Sequence, residues 1–462
     1  MIDTNLENIQ SELLEVVNLF GENELAIRHT FKESENKVVN TVSLNGKVFA
    51  YGNFIGAVDN DIEKKRLIKR FAKLSVYKAL SKFYNKDLPW GALTGIRPTK
   101  LAYQQMERGG EFESFFTDVM KVSENKTNLI KSVLNTQKGI YEKNDDNTDF
   151  FVFIPFCPTR CKYCSFISAD IKSANKFVDQ YVDALIKEIN HSKKFIKNLR
   201  SIYIGGGTPV ALDDQNLEKI LCAIDEINTG VEYTVEAGRP DAITSSNLAL
   251  LKRHNVTRIC INPQTFLDKT LVALGRNHTA DQVVEKFNLA KDLFDINMDL
   301  IAGLEGETFE DFKYSLDKAI SLCPDNITVH TLCIKKGSRL AQTETYLSGE
   351  LVNDMVEYAH KALSENGYLP YYLYRQKYMA GNLENAGYAK PNKACVYNVD
   401  IMEEISQNVA CGANAISKRV FNGGERIERC ASPKDVATYL QKLDTILENK
   451  EKLFLVNKEK VL

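Results

Sequence analysis

The chain has 462 residues, with 59 Lys and Arg against 61 Asp and Glu for a net charge of −2, 44% apolar residues and 10 cysteines. At ~150 residues per domain this length suggests about three domains, and the ordinary apolar and charged fractions exclude global disorder. The near-neutral balance gives no general pull toward nucleic acid or an anionic membrane.

No apolar run reaches the length of a membrane span; the densest, Phe150 to Phe156, is strand-sized and carries a proline. The start, Met1-Ile2-Asp3-Thr4, has neither the basic residues nor the apolar block of a signal peptide, so a cytoplasmic location is expected. In a reducing compartment the cysteines are not expected to form a disulfide framework. Seven are scattered among apolar neighbours and read as small buried hydrophobes, whereas Cys157, Cys161 and Cys164 fall within eight residues.

Residues 1–145 read as an N-terminal α+β accessory domain. Val38–Leu44 and Lys47–Tyr51 alternate around Asn45-Gly46 and predict a hairpin. Ile62–Tyr84 predicts a helix with Leu67, Phe71, Leu74, Tyr77, Leu80 and Tyr84 on one face. Its opposite face, Lys64 to Lys82, is expected to be solvated and predicts no nucleic-acid partner. A Gly/Pro-punctuated loop, Trp90 to Pro98, follows, and Asn144–Asp149 reads as an acidic linker.

From residue 146 to 340 the texture changes to strand-then-helix alternation. Strands are predicted at Phe150–Pro155, Ser201–Ile204, Tyr233–Val235, Arg258–Ile261, Met298–Ile301 and Ile327–Thr331. Helices are predicted between them at Ala174–Ile196, Asp213–Ile227, Ser245–His254, Thr279–Phe294 and Phe309–Leu322. This rhythm argues for an α/β core of parallel strands joined by helical crossovers, as an open sheet or a partial barrel. Ligands of such folds bind beyond the C-terminal strand ends. Cys157, Gly205-Gly206-Gly207, Glu236, Gln264 and Asp299 all sit at or just after such ends. Residues 341–462 are expected to be a mostly helical, substrate-covering extension containing the aromatic cluster Tyr368, Tyr371, Tyr372, Tyr374 and Tyr378.

The thiol cluster reads Cys157-Pro158-Thr159-Arg160-Cys161-Lys162-Tyr163-Cys164, a C-x3-C-x2-C spacing in a loop leaving a strand. Three thiolates on one short loop can ligate three corners of a cubane iron–sulfur cluster, leaving one iron open for a chelating ligand. Two other readings compete. Structural zinc needs a fourth ligand, and the next candidates are His191 and Cys222; a redox dithiol of Cys161 and Cys164 leaves Cys157 without a role.

With Tyr163 just before the last Cys, this run resembles the signature of the radical S-adenosylmethionine (SAM) superfamily. Ile154-Pro155-Phe156-Cys157, Tyr203 to Pro209, Glu232 to Glu236 and Asp299 to Leu304 further resemble the oxygen-independent coproporphyrinogen III oxidase (coproporphyrinogen dehydrogenase) family. Leu93–Lys100 and Tyr374–Glu384 resemble its HemZ-type members, so the likeness runs from about Leu93 to Ser417. It implies a partial (β/α)6 radical SAM barrel, a [4Fe–4S] cluster on catalytic Cys157, Cys161 and Cys164, and SAM on the open iron. It implies oxidative decarboxylation of coproporphyrinogen III to protoporphyrinogen IX in haem biosynthesis, with a low-potential donor such as flavodoxin or ferredoxin. A haem-binding chaperone and another tetrapyrrole-modifying radical SAM protein stand as alternatives.

The resemblance also implies SAM contacts. Tyr163 is set to stack on adenine, and Gly206, Gly207 and Thr208 to meet the methionyl end. Glu236, Gln264, Arg276 and Asp299 complete the set, Arg276 through paired bonds to a carboxylate and Asp299 through ribose hydroxyls. Burial as a core aromatic (Tyr163), a plain tight turn (the glycines) and ordinary salt bridges (the charges) are the competing readings. Arg97, Lys100, Arg375 and Lys377 lie in the family-specific phrases as candidates for substrate propionates, with Tyr372, Tyr374 and Tyr378 as walls; each cation also reads as an ordinary surface residue. The chain departs from the family pattern at Phe166, where well-studied members carry a further Cys, and at Phe151, where they carry a Tyr that meets a second SAM. Gly412 to Ser417 resembles the stretch that touches this second SAM, with Ile416 at the matching position.

Overall fold

The computed structural model describes residues 2–21, 25–35, 37–56, 61–94, 97–164, 169–333, 349–376 and 379–455. Two compact units result: Met1–Lys131 with Arg375–Lys377 and Gly381–Leu383, and Ser132–Tyr374 with Tyr378–Ala380 and Glu384–Leu462.

In the first unit, strands β1 (Ile2–Thr4), β2 (Ile27–Ser34), β3 (Lys37–Leu44) and β4 (Lys47–Phe54) form a sheet in that order. The β3–β4 hairpin is the expected one. Asn45 and Gly46 both take positive φ, 48° and 86°, as a two-residue turn matched to strand twist requires. Val38, Val42 and Leu44 are buried, as are Leu13 and Val16 of the helix Gln10–Asn18 and Leu74, Val76 and Leu80 of the helix Asp61–Tyr84. The basic face of the latter helix is less free than the sequence suggested. Lys64 pairs with Glu33 at 2.6 Å, Lys69 with Glu12 at 2.7 Å, and Lys73 is partly buried beside Glu12.

The second unit is built on one sheet. Its centre holds β5 (Asn147–Ile154), β6 (Asn198–Gly206), β7 (Glu232–Gly238), β8 (Arg258–Ile261), β9 (Asp295–Ala302) and β10 (Asn326–Thr331), all parallel and side by side in chain order. Helices at Ile171–Ser192, Asp214–Asp225, Ser245–Arg253, Ala280–Ala290 and Phe309–Leu322 cross between them, matching the expected alternation to within a few residues. Capping fixes several helix starts: Thr244, Thr279 and Thr308 each close a reciprocal box with the residue three positions on. The architecture is the partial (β/α)6 barrel expected, with its apolar strand residues buried.

The C-terminal region carries helices at Gly349–Glu365, Val396–Glu403, Val436–Gln441 and Leu443–Phe454. It also supplies strands that its sequence periodicity did not announce. Strands β11 (Leu369–Tyr374) and β12 (Asn385–Ala389) extend the sheet beyond β10, and β13 (Gln407–Cys411), β14 (Ile416–Phe421) and β15 (Arg426–Ala431) extend it beyond β5. Among the described residues, no helix is long and apolar enough to cross a membrane.

Candidate active site

Parallel pairing in chain order places successive strand ends beside one another. Ile154 pairs with Gly206, Ile204 with Val235, Ile261 with Gly238, and Ile301 with His330. The cysteine loop, the glycine run, Glu236, Arg239, Gln264, Asp299 and His330 therefore share one edge of the sheet.

The loop is held at several points. Phe156-Cys157 pairs with Ala169-Asp170, the Lys162 amide donates to Leu274 O at 3.0 Å, and the Thr159 hydroxyl donates to Gly275 O at 3.2 Å. All ten cysteines are thiols rather than disulfides. The Thr208 hydroxyl donates to Cys157 Sγ at 3.6 Å, while Arg239 Nη1 and Arg276 Nη1 stand 3.6 and 3.8 Å from Cys161 Sγ. Among the described residues, no three His, Cys, Asp or Glu side chains converge as ligands of one ion do. A cubane's thiolates each take a separate iron and need not converge.

The glycine run is more than a turn. A Cβ at Gly207 would lie 2.4 Å from Phe156 O and 3.0 Å from Cys157 Sγ, and one at Gly205 would lie 2.9 Å from Glu236 Oε2. Gly206 has φ +109°, a conformation L side chains rarely adopt. Here glycine lets the cysteine loop and Glu236 close onto the strand end.

Glu236 accepts from the Tyr203 hydroxyl at 2.6 Å and from the Gly206 amide at 3.3 Å. Burial raises its pKa to about 7 although both donors favour the ionised form. The Tyr203 ring stacks on Tyr397 at 4.4 Å, and Tyr397 in turn on Phe151 at 5.9 Å. Tyr397 is set by Glu232, whose carboxylate accepts the Val396 and Tyr397 amides at 3.0 and 3.2 Å and is braced by Arg258 at 2.6 Å. Sequence reasoning gave Tyr203 and Tyr397 no part in the site; no local pattern joins residues this far apart in the chain.

Asp299 accepts from Asn297 Nδ2 at 2.7 Å and faces His330 Nε2 at 3.6 Å. Burial pushes its pKa up, but His330 and the amide more than offset this and hold it below the usual carboxylate range. Gln264 takes φ +67°, strained for a side-chain-bearing residue, and is fixed there by backbone bonds to Asp299 and Ile301. Arg276 is buried. Nη1 donates to the Tyr163 hydroxyl at 2.9 Å and Nη2 to Asn262 O at 2.6 Å, while its buried Nε has no protein partner among the described residues. Tyr163 packs on Leu274, Ile301, Leu304 and Leu332.

Phe151 packs against Phe153, Ala410 and Ala415, so the Gly412–Ala415 turn lies beside β5. Ile416 opens β14 with an exposed side chain. In the first unit Arg97 precedes the helix Pro98–Glu107 and Lys100 lies in its first turn. Arg375, also of that unit, is buried. It donates to Leu93 O at 2.5 Å and Asn382 O at 2.7 Å, and lies 4.9 Å over the Trp90 ring. Lys377 and Tyr378 lie outside the described residues, as do Phe166 and its neighbours.

The residues fit an iron–sulfur cluster with a chelated nucleotide. Three thiols share one loop, donors point at two of the sulfurs, Gly207 admits the loop, and the buried Arg276 Nε lacks a protein partner among the described residues. A thiol loop set against the strand ends of a partial (β/α)6 barrel is the architecture of radical SAM proteins, and the Radical SAM superfamily model matches residues 151–319. The oxygen-independent coproporphyrinogen-III oxidase-like protein HemZ of Bacillus subtilis is 36% identical over 79% of this chain and 76% of its own. The heme chaperone HemW of Bacillus subtilis is 33% identical over 40% of this chain and 50% of its own. Coproporphyrinogen III oxidase (HemN) from Escherichia coli, described as a radical SAM enzyme, shares the fold at a TM-score of 0.53 with 22% identity, over 69% of this chain and 72% of that one. The chain belongs to the HemZ-like coproporphyrinogen oxidase homologues of the radical SAM superfamily. Membership brings the superfamily's cofactors, a [4Fe–4S] cluster and SAM.

Proposed function

We propose that this protein is a cytoplasmic radical SAM oxidoreductase acting on a tetrapyrrole, oxidatively decarboxylating two propionates of coproporphyrinogen III to the vinyl groups of protoporphyrinogen IX, with CO2 released, SAM consumed in taking each hydrogen atom and a further electron acceptor receiving the electron left behind. The observation that carries this reading is the extended identity with HemZ, which spans most of both chains. When bound, the cluster and SAM supply a carbon-centred radical able to abstract hydrogen from substrate. The chain's own residues bind and orient. Cys157, Cys161 and Cys164 ligate, Arg276 Nε offers a buried N–H for an anionic group, and Asp299 accepts hydroxyl donors. The stack of Phe151, Tyr397 and Tyr203 gives an apolar wall suited to a macrocycle. Glu236, with a pKa of about 7, can hold or release a proton at Oε2 under working conditions. A low-potential donor such as flavodoxin or ferredoxin is the partner this chemistry needs.

A second reading, haem binding and transfer, is favoured by the likeness to HemW chaperones. Anaerobic reconstitution followed by incubation with SAM, reductant and coproporphyrinogen III separates the two. Substrate-dependent 5′-deoxyadenosine together with product that has lost two carboxyl groups supports decarboxylation. Stoichiometric haem retention with neither product overturns it in favour of the chaperone.

A further inference from the structure

We infer that Arg239 is a positioning residue that sets the electron affinity of the metal cluster through Cys161. This rests on the reading that the three thiols carry that cluster. Arg239 lies just past the end of β7 and is 4% exposed. Its Nη1 donates to the Thr159 hydroxyl at 2.8 Å and to Thr159 O at 3.2 Å, and it stands 3.6 Å from Cys161 Sγ. The other edge of the guanidinium is clamped by Asp241, Nε to Oδ1 at 3.0 Å and Nη2 to Oδ2 at 2.8 Å. One planar fork thus ties a strand end to the backbone and the sulfur of the middle ligand. Lysine, a point donor, cannot span both edges.

The neighbouring charges decide the sign. Asp241 offsets part of the Arg239 charge, and its pKa stays below the carboxylate range because Arg239 outweighs the upward push of burial. His278, buried 4.0 Å from Asp241, is driven down to about 3 by burial and by Arg276, so it adds no charge near neutrality. Arg276 brings a second N–H to within 3.8 Å of the same sulfur. Cys161 therefore has two guanidinium donors; the Arg239 charge also reaches Cys157, which accepts from the Thr208 hydroxyl. Hydrogen bonds to cluster sulfurs and nearby positive charge favour the reduced, more negative state and raise the reduction potential. Arg239 is held by protein on both edges and acts on the sulfur rather than on a nucleotide.

The test is an anaerobic redox titration of the reconstituted protein followed by electron paramagnetic resonance, with iron per chain measured alongside. Arg239→Gln is expected to lower the reduction equilibrium constant about tenfold, a shift of ~59 mV to more negative potential for a one-electron couple. Arg239→Lys should shift less in the same direction. Asp241→Asn, which unmasks the Arg239 charge, should shift the potential the opposite way. Clusters in all three variants titrating at the wild-type potential would overturn the inference, even with lowered iron content, because the role would then be structural only. If Arg239→Gln holds no cluster, the other two variants decide the matter by the same criterion. Wild-type protein that binds no cluster would instead sink the underlying reading.

Discussion

The Tyr203 hydroxyl lies 2.6 Å from Glu236 Oε1, and the ring carrying it stacks 4.4 Å from that of Tyr397. This joins the carboxylate of one strand end to the stacked rings of Tyr397 and Phe151. The hydroxyl stabilises the ionised form of Glu236 against the larger, opposite effect of burial. Replacing Tyr203 by Phe should therefore move the Glu236 titration upward from about 7. The pH profile of SAM binding, measured by calorimetry, should show its midpoint displaced to higher pH.

Glu236 also makes stability depend on pH. Its folded-state value of about 7 exceeds the ordinary 4.5, so the native protein binds the proton more tightly than the unfolded chain. The contribution is fully present below pH ~4.5 and is lost as pH rises through about 7. Chemical denaturation of Glu236→Gln should show this loss, on the order of 3 kcal/mol, abolished. Parallel curves for the two proteins between pH 5 and 7.5 would contradict it.

Alanine at Cys157, Cys161 or Cys164 should each abolish bound iron and sulfide after anaerobic reconstitution, since three ligands are the minimum on this loop. Retention of near-wild-type iron by any one variant would remove that cysteine from the ligand set.

Gly207→Ala should lower iron content severalfold while leaving the circular dichroism spectrum native, because its Cβ would meet Phe156 O at 2.4 Å and Cys157 Sγ at 3.0 Å. Gly52→Ala, with nothing within 4 Å, is the control expected to retain full iron.

Arg375 is buried and bonded to Leu93 O and Asn382 O over Trp90. Arg375→Lys should therefore cost about 2 kcal/mol of stability by leaving acceptors unmatched. A raised KM with unchanged denaturation would instead favour its role as a propionate ligand.

The fully buried pair Lys450–Glu188, 2.8 Å apart, also engages Cys411, Ser192, Tyr439 and the Gly412 amide. Lys450→Met should destabilise by about 3–5 kcal/mol by stranding the carboxylate, and Glu188→Gln added to it should recover much of the loss. Equal stability of single and double variants in urea melts would refute that coupling.

Much of the fold was legible because its signals are local. Arg258–Ile261 and Phe309–Leu322 match their predicted bounds, being a short apolar run and an amphipathic helix with a Thr308 cap. The Asn45-Gly46 turn likewise needs only two residues with positive φ. Strands β12 and β13 escaped notice since they join the sheet through partners remote in the chain, as Asn326 pairs with Ala389 and Gln407 with Thr148. The basic helix was read as solvated because nothing in its own period shows that Glu12 and Glu33 meet it.

The chain alone determined that three thiols share one loop after a strand, and that strands and helices alternate beyond it. Both follow from spacing and periodicity over a few residues. Only the tertiary structure decided that Arg239 reaches the sulfur of Cys161, that Tyr397 stacks on Tyr203, and that Lys450 neutralises Glu188. Those encounters depend on which strands pair and which helices cross, and burial then favours partners for polar groups that no local pattern names.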